Sequence, residues 1–183
     1  GNADAGKAYV YLGTSTGIQS IPVWTSSGDD QADARYGWSV SSAGDVNNDG
    51  YDDIIIGARL YDTGNADAGK AYVYLGNSTG VQDTAVWTSS GDDQADARYG
   101  WSVSSAGDVD NDGYDDIIIS AYLYDTTNVD AGKAYVYISS DTYSLESTNP
   151  ISNEWNHIIG MYNGTDLLLY INCLLYTSDA ADE

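Results

Sequence analysis

Phenylalanine is absent from the 183 residues, and cysteine and histidine occur once each, as Cys173 and His157. A lone cysteine forms no internal disulfide, so no covalent staple holds the fold. One histidine supplies no zinc cluster, and no Ser-His-Asp or Cys-His constellation accompanies it. Lysine and arginine number 6 against 28 aspartates and glutamates, a formal charge of −22. That balance excludes nucleic-acid binding, because Lys and Arg supply the affinity for phosphate backbones. No apolar run approaches the roughly 20 residues of a membrane helix, so no membrane span is expected. No apolar stripe at helical spacing appears, which disfavours helix. The chain has no initiating Met and no signal peptide, and its opening GNADAGKAYVYLG returns later inside it. Residue 1 is therefore expected to lie within a longer protein.

What is present is tyrosine (17), tryptophan (5) and a hydrophobic content of 42%, enough for a core. The acids are interleaved with Tyr, Val, Ile and Trp, unlike a disordered acidic tail. Placed so, they point either to strong solvation or to divalent cations. Residues 1–63 and 64–126 align without a gap and differ at eight positions. A third copy starts at Thr127 and keeps DAGKAYVY over 130–137 before it fades. A period of 63 is long for a helical solenoid unit and suits a propeller blade of four strands with its loops. Each period holds four β-rich runs, YGWSVSSAG (36–44), DDIIIGA (52–58), GKAYVYLG (69–76) and TAVWTSS (84–90), parted by Gly, Asp, Asn and Ser. Ile54–Ile56 and Ala71–Leu75 are continuous apolar runs. A strand reads that way when both its faces are covered, as the inner strands of a blade are by the blades beside them.

Between the first and second runs lie GDVNNDGYDDIII (44–56) and GDVDNDGYDDIII (107–119). With Asp45 as position 1, Asp45, Asn47 and Asp49 stand at 1, 3 and 5, Gly50 at 6, Tyr51 at 7 and Asp53 at 9. The second copy places Asp108, Asp110, Asp112, Tyr114 and Asp116 at the same positions, with Gly113 at 6. Alternate side chains of a tight loop converge, the glycine allows the sharp turn, and the carbonyl at position 7 faces inward. The set is one of hard oxygen donors, which suits Ca²⁺ with its roughly 6–8 oxygens. Two Ca²⁺ sites are expected. An EF-hand is excluded, since position 12 is Ile56 or Ile119 where that motif needs Glu. The closing ligand is instead Asp53 or Asp116, at the start of a strand. A cation there neutralises the loop and delivers the isoleucine run into the sheet. Asp52 and Asp115, at position 8, are expected to point away into solvent. The competing reading is an Asx-rich turn that binds nothing; two copies of one ligand pattern favour metal. Mg²⁺ suits the loop less well, because it keeps most of its waters.

These residues resemble the FG-GAP repeat, the blade unit of integrin alpha-chain propellers and of many bacterial surface proteins. YGWSVSSAGDVNNDGYDDIIIGA (36–58) follows the family order of Phe-Gly, Ser-Val, Gly-Asp, calcium loop, apolar strand and Gly-Ala-Pro. Tyr36-Gly37 and Tyr99-Gly100 replace Phe-Gly, and Gly57-Ala58-Arg59 and Ser120-Ala121-Tyr122 replace Gly-Ala-Pro. The resemblance implies a β-propeller whose calcium sites are structural. The expected fold is all-β, with two four-stranded antiparallel blades plus part of a third and a C-terminal β-hairpin. The propeller occupies 1–138, as repeats 1–63 and 64–126 and a partial copy 127–138.

Antiparallel strands alternate their loops between two ends. The calcium loops share one face with LGNSTGVQD (75–83), and ARLYDTGNADAG (58–69) and SSGDDQADAR (89–98) share the other. A protein or glycan partner is expected on the face opposite the calcium loops, where Arg35 and Arg98 are among the few cations. Asp92, Asp93 and Asp96 read as a solvated acidic loop. Trp24, Trp38, Trp87 and Trp101 are expected to pack between blades, the alternative being a platform for sugars.

In the last third, NEWNHIIGMYNGTDLLLYIN (153–172) reads as two strands around Asn163-Gly164, the usual hairpin dipeptide. It resembles the hairpin of laminin-G or concanavalin-like jelly rolls, and 139–172 is expected to be part of such a module, with His157 a strand residue. CLLYTSDAADE (173–183) resembles the conceptual translation of a transposase-based sequencing-library adapter, so the natural sequence is expected to stop at Asn172. Asn77-Ser78-Thr79 and Asn163-Gly164-Thr165 match glycosylation sequons. The function expected is a calcium-binding scaffold of an extracellular or cell-surface protein, for adhesion or recognition, and not an enzyme. The alternatives are a non-catalytic module of a secreted glycan-active lyase or hydrolase, and a carbohydrate-binding jelly roll at the C-terminus.

Overall fold

The isoleucine runs decide how the sheets stack. A computed structural model describes residues 1–140 and, beyond them, the backbone of 158–162, 167–171 and 174–177. Strand β1 (Ala8–Val10) pairs antiparallel with β4 (Trp24–Ser26), and β2 (Gly13–Thr14) and β3 (Gly17–Ile18) form a small ribbon between them. Next come β5 (Tyr36–Gly44), β6 (Asp53–Ala58) and β7 (Lys70–Tyr74), then a second ribbon of β8 (Gly76–Asn77) and β9 (Gly80–Val81), then β10 (Trp87–Ser89). These make a four-stranded antiparallel sheet in the order β5-β6-β7-β10. Strands β11 (Tyr99–Gly107), β12 (Asp116–Ala121) and β13 (Lys133–Tyr137) make a three-stranded sheet of the same pattern. No helix occurs among the described residues, so none there is long and apolar enough to cross a membrane.

The chain is all-β and antiparallel, as expected, and the blades are offset from the repeat. Residue 1 corresponds to the loop before a blade's third strand. Each sheet therefore joins the second half of one 63-residue unit to the first half of the next. Two, four and three strands of successive blades are described.

Alternation along β6 and β7 explains the continuous apolar runs. Ile55, Ala71 and Val73 face β11 and β12, in a cluster with Tyr99, Val103, Ile117 and Ile119. Ile56, Tyr72 and Tyr74 face the other way, in a cluster with Ala8, Trp24 and Tyr36. The four-stranded sheet is thus covered on both faces. The tyrosines that replace Phe in the family order keep their hydroxyls satisfied. Tyr36 donates to the Tyr74 hydroxyl at 3.0 Å and Tyr99 to Tyr137 at 3.0 Å. Burial pushes both phenols well above their ordinary range, so they remain neutral donors.

The chain divides into two units, Gly1–Ser140 and Asp141–Glu183. In the second, β14 (Ile158–Tyr162) pairs with β15 (Leu167–Ile171) in the register Ile158↔Ile171 to Tyr162↔Leu167. The turn Asn163-Gly164, Trp155, His157 and Cys173 lie outside the described residues. Strand β16 (Leu174–Thr177) adds to β15, within the stretch expected to derive from an adapter. Leu-Leu-Tyr-Thr is a β-prone run whatever its origin.

Candidate metal centre

The two acidic loops fold alike because their carboxylates gather their own backbone amides. The Asp45 carboxylate accepts the N–H of Asp49 at 3.0 Å and of Gly50 at 2.7 Å. Asp108 accepts those of Asp112 and Gly113, both at 3.0 Å. Asp49 and Asp112 in turn accept the N–H of Tyr51 and Tyr114, at 3.0 Å each. Gly50 and Gly113 turn the chain at φ of 87° and 95°, where a side chain is disfavoured. Positions 1, 5, 6 and 7 are thus tied together by backbone amides donating to the loop carboxylates.

Asp53 and Asp116 open β6 and β12, and both are 0% exposed. A register shift near the end of β5 and of β11, between Ser42 and Gly44 and between Ser105 and Gly107, sets Asp53 opposite Gly44 and Asp116 opposite Gly107. Asp53 accepts the N–H of Val46 and of Gly76, both at 2.8 Å. Asp116 accepts those of Val109 and Ser139, both at 2.8 Å. Each buried acid therefore ties the loop to the residues that follow the blade's third strand. The ion pairs of the described residues are Arg35–Asp4, Lys70–Asp29 and Lys133–Asp92, so neither buried acid has a basic partner. Burial holds the Asp53 carboxyl above its ordinary range, the amides of Gly76 and Val46 oppose this, and the charges of Asp49 and Asp45 add to it.

Carboxylate oxygens of Asp108, Asp110 and Asp116 lie within 4.8 Å of one another. Desolvation first, and then the charges of Asp112, Asp116 and Asp108, raise Asp110. Like charges so close repel, and a divalent cation between them reverses the sign. The donors are all hard oxygens and the site is compact, so these residues fit Ca²⁺. The first loop differs at position 3. The Asn47 amide donates to Asp49 at 2.9 Å, closing the loop with a hydrogen bond where the second has a third carboxylate. Tyr51 and Tyr114 contribute N–H bonds in this arrangement.

Asp115 departs from the expectation of a solvated neighbour. Its carboxylate accepts the Asp45 N–H at 3.0 Å, and its own N–H donates to the Asp45 carbonyl at 3.0 Å. The second loop leans on the first, a contact between blades that no spacing within one repeat reveals. Asp52 is exposed, as expected.

The tryptophans differ in exposure. Trp24 is buried against Tyr74, with its Nε1–H on the Gln82 carbonyl at 3.1 Å, and Trp87 packs on Tyr137. Trp38 is 48% exposed and lies 5.2 Å from Trp101. All four therefore pack between blades, as expected, with Trp38 meeting Trp101 of the neighbouring sheet while keeping part of its ring exposed. At the end of the sheets opposite the acidic loops, Gln31 bridges to Asp62, at 2.8 and 2.6 Å. Gln94 bridges to Asp125 in the same way, at 3.1 and 2.6 Å. Asp92, Asp93 and Asp96 are exposed, as expected of a solvated acidic loop, and at the surface Asp92 meets Lys133 and Asp93 meets Thr63.

Residues 36–74 and 99–137 each match the family model described as FG-GAP repeat, and each match contains one acidic loop. The chain is 32% identical over 143 residues to integrin alpha-5 of Xenopus laevis, which covers 75% of this chain and 13% of that protein. It is 30% identical over 125 residues to integrin alpha-4 of Xenopus laevis, covering 67% and 12%. It is 34% identical over 142 residues to integrin alpha pat-2 of Caenorhabditis briggsae, covering 76% and 11%. The chain thus spans between 11% and 13% of the length of these curated relatives.

Proposed function

The chain belongs to the FG-GAP repeat family, and from that we propose that it is a calcium-stabilised β-propeller scaffold of an extracellular or cell-surface protein, serving adhesion or recognition. The observation that carries the calcium reading is the buried Asp116. It has no basic partner among the described residues, and its carboxylate oxygen stands within 4.8 Å of those of Asp108 and Asp110. One ion is held by Asp45, Asn47, Asp49, Asp53 and the Tyr51 carbonyl, the other by Asp108, Asp110, Asp112, Asp116 and the Tyr114 carbonyl. The role is structural and non-enzymatic: each ion offsets the repulsion in its loop and fixes the strand that follows. Weak sites of this kind would fill at extracellular calcium and stay empty at cytosolic levels, which supports a parent protein outside the cell. The partner, a protein or glycan, meets the face opposite the calcium loops.

Calorimetric titration of the 183-residue chain with Ca²⁺ tests this reading. Two sites are expected, with one lost in Asp116→Asn. No heat of binding in the intact chain, together with a melting curve indifferent to EDTA, would overturn it.

A further inference from the structure

Three of the six basic residues gather at the end of the sheets away from the acidic loops. Arg59 follows β6, and its guanidinium stacks 3.9 Å from the ring centre of Trp38 and 5.0 Å from that of Trp101. Tyr122, which holds the place of Arg59 in the second repeat, lies 4.1 Å from Trp101. Trp38 and Tyr122 are 48% and 39% exposed. Burial, then the charge of Arg98, lowers Arg59 from its ordinary value, and Arg35 adds to this.

Charge balance at this end is unusual. Arg35 pairs with Asp4 at 3.2 Å, but Arg59 and Arg98 have no ion pair among the described residues, and the Nε of each is enclosed without a hydrogen-bond partner. Asp67 favours the Arg59 charge only from beyond ion-pair distance. Among the described residues, two guanidiniums thus have no carboxylate at ion-pair distance in a chain that carries 28 acids. Arg35 and Arg98 also hold left-handed backbone conformations, at φ of 58° and 55°, which L side chains adopt at a cost.

Stacking occupies the faces of a guanidinium and leaves its N–H edge for an oxyanion in the same plane. Exposed aromatic surface beside that edge suits the apolar face of a sugar ring. The net charge of −22 repels polyanions, so the anion that fits is a single carboxylate among neutral groups. We propose that Arg59, Trp38, Trp101 and Tyr122 bind a uronic-acid residue of a glycan, its carboxylate on the Arg59 edge and its ring against the exposed part of Trp38. The assignment rests on the reading that the partner face lies opposite the calcium loops.

The test titrates the 183-residue chain, in calcium, with methyl glucuronide, methyl glucoside and N-acetyl-aspartamide, read by tryptophan fluorescence and calorimetry. The glucuronide binds in the millimolar range, and both other probes bind at least about tenfold more weakly. Arg59→Tyr, a residue the second repeat already accommodates, weakens the glucuronide by at least about tenfold and leaves the melting temperature in place. Equal binding of the glucoside, or unchanged binding in Arg59→Tyr, overturns the proposal. Tighter binding of the aspartamide, lost in Arg59→Tyr, also overturns it and leaves the partner face standing with a peptide as its ligand. No binding of any probe, while calcium still raises the melting temperature, overturns the sugar site and spares the calcium reading.

Discussion

At the scale of single residues, the eight differences between the repeats act as an internal experiment. Gly57 and Ser120 occupy the same place in β6 and β12. A Cβ on Gly57 would overlap the carbonyl of Gly100 in the neighbouring sheet, so glycine is required there by close approach. Ser120 instead points its hydroxyl at the N–H of Ser102, at 3.1 Å. Gly57→Ser is therefore expected to destabilise the chain by about 1–3 kcal/mol, and Ser120→Gly by less, as read from urea unfolding. The exchange of Asn47 for Asp110 changes the charge of a candidate metal loop. Asp110→Asn should lower calcium affinity at the second loop by about five- to tenfold, and Asn47→Asp should raise it at the first by a similar factor, in calorimetric titrations. The candidate site was legible in sequence to this depth because its ligands are local, spaced two apart in one loop. Asp115 was not, since its partner Asp45 is 70 residues away. The Arg59 guanidinium on Trp38 was hidden for the same reason: the two residues come from the start of one strand and the end of the next.

At the scale of strands, β6 and β12 show how much one pattern leaves open. Both read Asp-Ile-Ile-Ile, and the runs were legible as covered strands from composition alone. Coverage, however, belongs to the stack. Ile55 is fully enclosed between two sheets, whereas Ile118, on the face of the three-stranded sheet away from β5 and β6, is 36% exposed. Ile55→Ala should cost about 2–5 kcal/mol, with Ile118→Ala costing about 1 kcal/mol or less. Equal losses in thermal or urea unfolding would contradict this stacking. The period alone leaves blade phase open, and the run order beginning at YGWSVSSAG (36–44) supplies it. A period fixes the length of a unit but not its starting strand, which is decided by which edges hydrogen-bond. Trp87 pairs with Val73 across β10 and β7, within 14 residues, and that contact closes the sheet at 36–89.

For the described propeller as a whole, stability should depend on calcium through a contact between blades. Each filled loop stabilises by RT ln(1 + [Ca²⁺]/Kd), about 1.4–2.7 kcal/mol at roughly 10–100 times Kd. For a chain of this length about 1 kcal/mol moves the melting temperature by about 2–4 °C, so two loops account for a rise of several degrees. The paired hydrogen bonds of Asp115 with Asp45, both 3.0 Å, join the second acidic loop to the first proposed ligand of the loop before it. An ion that orders one loop therefore reduces the disorder left to lose when the other fills. Melting of the 183-residue chain should rise by several degrees between EDTA and millimolar Ca²⁺. Asp115→Ala spares every proposed ligand and removes the carboxylate that accepts the Asp45 N–H. It should leave two binding events in calorimetry while lowering the affinity of the second by about three- to tenfold, the scale of a neutral-to-charged hydrogen bond. Two independent sites in both proteins would show that the loops act separately, and that the interblade contact positions Asp45 without linking the ions.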